Sequence, residues 1–236
     1  MNLILLTEHD LITDEQVQLD DRRFQHIRMV HKPKVGAHLK VGMLNGLLGT
    51  GQVLALSDTA VTLQVSFHKT PPPPLPLTLL LALPRPKMLK RILQTVAAMG
   101  VKELYLINSY RVDKSYWGSP VLEKQIMEQL LLGLEQAGDS IMPQVHLRKR
   151  FKPFVEDELP HLVEGTRALI AHPYHAAPCP PAETTQTTLA IGPEGGFIPY
   201  EVEKLNEAGF QSIHIGERIL RVENAVPALL SRLFPV

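Results

Sequence analysis

The spacing of apolar positions changes along the chain. Val41–Leu47, Gln52–Leu56 and Val61–Phe67 are short segments rich in apolar and β-branched residues, separated by glycines or by Ser57-Asp58. Short strands divided by turn residues predict a small barrel or sandwich. Ahead of them, Asp20 to Val30 predicts a helix. Asp20 or Asp21 can cap its start, and Phe24, Ile27 and Val30 fall on one face. Beyond residue 76 the pattern alternates. Leu77–Leu83 is a continuous apolar run, the mark of a buried strand. Lys87–Met99 follows with Leu89, Ile92, Leu93, Val96 and Ala97 at helical spacing, and Gly100 stops it. Further strands are predicted at Glu103–Asn108, Val145–Leu147, Ala168–Ala171, Thr188–Ile191 and Ser212–Ile215. Helices are predicted at Val121–Ala137, Tyr200–Ala208 and Val222–Phe234. Alternation of this kind predicts an α/β fold with a parallel sheet covered on both faces.

Between the two patterns lies Pro71-Pro72-Pro73-Pro74-Leu75-Pro76. Consecutive prolines favour extended polyproline II and forbid helix or central strand. Residues 71–76 are therefore read as a stiff linker between a domain of residues 1–70 and one of residues 77–236.

Composition adds exclusions. Of 236 residues, 44% are hydrophobic and 20% charged, which is globular and not disordered. The longest strongly apolar run is too short to span a bilayer. Met1 to Leu6 lacks a basic flank and meets Glu8-His9-Asp10 at once, unlike a secretory leader. Cys179 is the single cysteine, which excludes an intramolecular disulfide and a cysteine-rich zinc site. The expected address is the cytosol, with no membrane partner. Lys+Arg equal Asp+Glu at 24 each, so a polyanion partner must be met by local clustering rather than net charge.

Ligands of open α/β sheets bind beyond the carboxyl ends of the strands. Three predicted loops there carry candidate chemistry. Ala171-His172-Pro173 is either a ligand contact or a plain strand-ending proline turn. Ile191-Gly192-Pro193-Glu194-Gly195-Gly196-Phe197 allows close backbone approach but has neither the P-loop nor the dinucleotide spacing. Glu194 is a polar handle there or a solvated carboxylate. Ile215 to Ala225 holds Ile219 and Leu220, which suit the wall of a pocket for a flat apolar group such as a purine. Arg221 and Glu223 flank a helix start, where backbone N–H groups favour an acceptor.

Gly192-Pro193-Glu194-Gly195-Gly196, Gly216, and Leu220-Arg221-x-Glu223-x-Ala225 together resemble the signature of the small-subunit (16S) ribosomal RNA uracil N3-methyltransferases, of the SPOUT class. Lys87, Met99-Gly100-Val101, Ser109, Arg111, Glu135-Gln136 and Pro143 follow in the same order, so the resemblance covers nearly the whole chain. It implies a C-terminal parallel sheet with a trefoil knot, a small N-terminal PUA-like RNA-binding β-barrel, and a homodimer through the knotted domains. It implies S-adenosylmethionine as cofactor and ribosomal RNA or the small ribosomal subunit as partner. It carries cofactor binding onto His172, Gly192, Pro193, Glu194, Gly195, Gly196, Ile215, Gly216, Ile219, Leu220, Arg221, Asn224 and Ala225.

Uracil N3 holds a proton at neutral pH, so the reaction needs a base or a cation that stabilises the forming anion. Arg221 or Arg111 suits the second task, and Glu223 the first if burial raises its pKa. No metal is required. For RNA, Arg22 to Lys40 contains Arg22, Arg23, Arg28, Lys32, Lys34 and Lys40 with no acid, and Phe24 is a candidate for stacking. Lys87 and Arg111 add charge nearer the cofactor loops. A second basic run is Arg148-Lys149-Arg150-Phe151-Lys152. Two positions depart from the family pattern. Asp139 stands where an Arg is usual, a reversal that would repel a phosphate and favour a different RNA. Asn224 stands where Thr is usual and retains the ability to cap a helix.

Overall fold

A computed structural model describes residues 2–235. The chain divides into two compact units. One comprises residues 1–73 with 131–142, the other residues 74–130 with 143–236.

The first unit is built on a six-stranded sheet: β1 (Ile4–Leu6), β2 (Leu11–Thr13), β3 (Gln16–Leu19), β4 (His38–Met43), β5 (Leu48–Leu56) and β6 (Val61–Lys69), in the order β1-β4-β5-β6-β3-β2. β1 pairs parallel with β4 and the remaining ladders are antiparallel. Val61, Leu63 and Val65 alternate inward along β6, as a one-sided sheet requires. They meet Ile4, Leu6, Val17 and Leu19 in a core that also takes Phe24 and Ile27 from helix α1 (Arg22–His26) and the turn after it. The predicted helix over residues 20–30 is thus two pieces. Asp21 caps α1 through the Arg23 amide at 2.8 Å, and Ile27–His31 continues as a wider π turn. That extra width moves Val30 off the shared face, and it is exposed while Phe24 and Ile27 are buried. Phe24, a candidate for base stacking, belongs to the core instead.

The second unit is a seven-stranded, all-parallel sheet in the order β11-β13-β10-β12-β7-β8-β9. Its strands are β7 (Leu77–Ala82), β8 (Glu103–Ile107), β9 (Gln144–Arg148), β10 (Arg167–Ala171), β11 (Ala177–Pro178), β12 (Thr187–Ile191) and β13 (Gln211–His214). β7 lies between β12 and β8, and all six of its residues are buried, which accounts for its unbroken apolar sequence. Helix α2 (Pro86–Ala98) buries the five residues its spacing predicts: Leu89, Ile92, Leu93, Val96 and Ala97. Helix α3 (Ile126–Ala137) follows a π turn at Val121–Gln125, and its residues from Leu131 onward belong to the first unit. A short helical stretch over residues 151–163 and the helices α4 (Pro199–Glu207) and α5 (Val222–Leu233) also belong to this unit. Among the described residues, no helix is long and apolar enough to cross a membrane.

Candidate active site

Parallel strands bring their carboxyl ends to one edge of the sheet. At that edge the segments leaving β10 and β12, with the approach to α5, enclose a cleft of about 1220 Å³. The strand ends at Ile191 and the chain then turns sharply. The Gly196 amide donates to the Pro193 carbonyl at 2.7 Å, with Gly196 at φ +73°. A Cβ on Gly192 would lie 3.0 Å from the Phe197 amide nitrogen and 3.2 Å from backbone carbons of Gly196. A side chain at that position would have to push this backbone aside.

Arg111 reaches this turn from the segment after β8. Its guanidinium donates to the Gly195 carbonyl, and its Cδ occupies the space 2.9 Å from where a Gly195 Cβ would stand. Glu201 holds that segment in place. Its carboxylate is buried and accepts from the Tyr110 amide at 2.7 Å, the Ser109 hydroxyl at 3.1 Å and the Ile198 amide at 3.0 Å. The last bond is half of a capping box, since Ile198 has no acceptor to return. Glu194 accepts from the Arg85 amide at 3.1 Å, and the Arg85 guanidinium stands 3.9 Å away. His172 lines the opposite side. Burial lowers its pKa and the neighbouring His175 acts in the same direction, so the imidazole is neutral at pH 7.

The cleft gathers His172, Gly192 to Gly196, Ile219, Leu220 and Ala225 from three separate loops, and adds Arg111. Ile219 is 71% exposed and Leu220 40%, so this wall of the cleft is apolar and open. Ile215, Gly216, Arg221, Glu223 and Asn224 do not line it. Arg221 occupies the position flanking α5, where its carbonyl accepts from the Asn224 and Ala225 amides at 2.9 and 2.8 Å. Asn224 is therefore the third residue of the helix and not its cap, contrary to the expectation from sequence. Glu201 was not singled out by the sequence. The signal for it is a Glu three residues after a helix flank, and that signal is weakened because Ile198 replaces the usual Ser or Thr.

The three arginines of the first unit are engaged within it. Arg22 forms a two-pronged pair with buried Glu135 at 3.0 and 2.8 Å. Arg23 is enclosed by Asp10, Asp21 and the Leu5 carbonyl at 2.7 to 3.0 Å. Arg28 pairs with Asp58 at 2.9 Å. Lys32 and Lys34 are exposed, with Lys32 in the left-handed region at φ 45°. In the second unit, Lys87 is exposed in the first turn of α2.

A parallel α/β sheet with a glycine-floored cleft beyond its carboxyl edge is the class of fold that binds a ligand at that edge, here one that is extended and partly apolar. The chain belongs to the RNA methyltransferase family, whose domain matches residues 71–234. The ribosomal RNA small subunit methyltransferase E of Treponema pallidum is 28% identical over 97% of this chain and 88% of its own length. The enzyme of that name from Mesomycoplasma hyopneumoniae is 31% identical over 64% and 66%. The crystal structure of a ribosomal RNA small subunit methyltransferase E from Neisseria gonorrhoeae, bound to S-adenosyl methionine, superposes with a TM-score of 0.79. It is 21% identical and is covered over 95% of its chain by 98% of this one, a likeness of fold.

Proposed function

We propose that the protein transfers a methyl group from S-adenosylmethionine to N3 of a uridine in small-subunit ribosomal RNA. The observation that carries this reading is the meeting of the glycine turn, the Ile219–Leu220 wall and Arg111 in one cleft. The residues present fit the cofactor. Exposed backbone around Gly195 and Gly196 suits its polar groups, and the apolar wall suits the adenine. When bound, S-adenosylmethionine supplies a sulfonium methyl as the electrophile. The chain supplies the rest. Arg111 offers positive charge to O2 or O4 of the uracil as N3 loses its proton. Arg221 and Glu223, at the start of α5 beside the cleft but not in its lining, are the candidates for a second cation and the proton acceptor. Gly192 to Gly196 and His172 bind and orient the cofactor, and positioning supplies much of the rate.

The same reading includes a trefoil knot in the second unit, a homodimer through it, a PUA-like role for the β-rich N-terminal residues and a cytoplasmic location. The knot is supported by strand order: the chain leaves β12 and returns to place β13 beyond β10. Isothermal titration with S-adenosylmethionine tests the cleft assignment. Wild-type protein is expected to bind, and Gly192→Ala, which forces a methyl group against the Phe197 amide, to lose at least tenfold in affinity while remaining folded. Equal affinity of the two would remove the cleft from the account.

A further inference from the structure

Beyond the cleft, the carboxyl edge of the sheet in the second unit continues past the ends of β8 and β9. Arg111 touches the glycine turn at its inner end. The chain continues through residues 109–118 to Trp117, whose indole N–H donates to Asn108 Oδ1 at 3.0 Å. Lys149, just past β9, extends over the Trp117 ring at 6.0 Å, and the Asn108 amide donates to the Arg148 carbonyl at 2.8 Å. Residues 109–118 and 148–152 contain six Lys or Arg (Arg111, Lys114, Arg148, Lys149, Arg150, Lys152) and one acid, Asp113, in a chain of zero net charge. Glu158 and Glu156 pair with Arg148 and Lys152 at 2.7 and 3.7 Å. Subtracting those two acids still leaves an excess of three. Beside these cations Tyr110 is 80% exposed, although its backbone is pinned by buried Glu201.

We propose that this surface is a track for single-stranded RNA leading into the cleft, with phosphates on Lys114, Lys149 and Arg150 and an unpaired base stacked on Tyr110. The inference rests on the proposed reaction and deepens it. N3 lies on the Watson–Crick edge of uracil, so the target base is unpaired when it reacts. The strand on either side of it needs stacking partners and charge neutralisation in place of its helix. A rigid backbone under an exposed tyrosine, flanked by cations that other side chains do not neutralise, meets both needs. It assigns RNA contact to a segment distinct from Arg22 to Lys40, where three arginines already face carboxylates.

The test compares full-length wild type, Lys149→Glu/Arg150→Glu, Tyr110→Ala, and Lys32→Glu/Lys34→Glu. Each is titrated into a uridine-containing single-stranded RNA and into its duplex, over a range of salt. S-adenosylmethionine affinity is the control for integrity. The expected results are single-strand preference in the wild type and at least tenfold weaker single-strand binding in the 149/150 variant. That variant should also have a salt slope lower by about 1.4 for two lost phosphate contacts. Tyr110→Ala is expected to lose about tenfold for the single strand and little for the duplex, with cofactor affinity unchanged. Wild-type affinity in both of these variants, with binding abolished in the 32/34 variant, overturns the track and leaves the reaction standing. A wild-type protein that binds none of the strands also overturns the track, and methyl transfer to small ribosomal subunits then decides the reaction separately.

Discussion

Arg23 and its neighbours show how a residue's chemistry depends on partners outside its own stretch of sequence. Arg23 sits in a basic stretch without a single acid, which reads as a polyanion site. In the fold its guanidinium is nearly enclosed by Asp10 and Asp21, and Arg22 and Arg28 meet Glu135 and Asp58. Those partners are 30 or more positions away in two cases, and spacing does not reveal them. His172, by contrast, is marked by its place at a strand end and does line the cleft, although the burial that lowers its pKa is seen only in the fold. Burial pushes the Asp10 carboxyl up, but hydrogen bonds and charge from Arg23, with the Thr7 amide, outweigh it and hold the pKa below the usual 3.8. The unfolded chain therefore binds this proton first as pH falls. The stability contributed is full above about pH 4 and is lost as pH drops through the folded value. Asp10→Asn is expected to cost the first unit about 2 kcal/mol at pH 7 and to flatten its loss of stability below pH 4. Urea unfolding at a series of pH values measures both, and an unchanged acid profile would refute the role.

At the scale of elements, legibility followed periodicity. The helices α2 and α5 stand within a few residues of their predicted places because each repeats its apolar positions long enough to define a period, and β7, β8, β10 and β12 because each is a compact apolar run. β1, β2 and β3 were not read: each has three or four residues, too few to establish alternation. The link between the segment after β8 and the start of α4 was equally hidden, since Glu201 joins residues 91 and 92 positions away. Its two oxygens serve three donors. Glu201→Gln leaves one carbonyl oxygen and places an NH₂ against a donor. The expected result is a loss of about 2 kcal/mol in urea unfolding of the second unit and about tenfold weaker S-adenosylmethionine binding, because Arg111 loses its fixed base. Ser109→Ala, which removes one donor and leaves the backbone pair, is expected to cost less than half as much. Equal tolerance of both changes would show that Glu201 does not organise the cleft.

For the whole molecule, balanced charge conceals local imbalance. Lys+Arg and Asp+Glu are equal at 24 each, yet the outer carboxyl edge of the parallel sheet carries a clear excess of cations. The α/β character of residues 77–236 was legible from alternating periods. The gathering of three loops into one cleft was legible only through the combined motifs, because loop convergence has no period. Asp139, which by sequence argued for another RNA, is buried, and its carboxylate accepts from the Ile141 amide at 3.0 Å. That bond holds the turn at residues 139–141. The most direct test of the central claim is transfer of labelled methyl from S-adenosylmethionine to small ribosomal subunits lacking native methylation, with the modified nucleoside identified by mass spectrometry. The account predicts N3-methyluridine in the small-subunit RNA, and its loss with Gly192→Ala. Cofactor binding without transfer, or a methyl group on any other nucleoside, would contradict it.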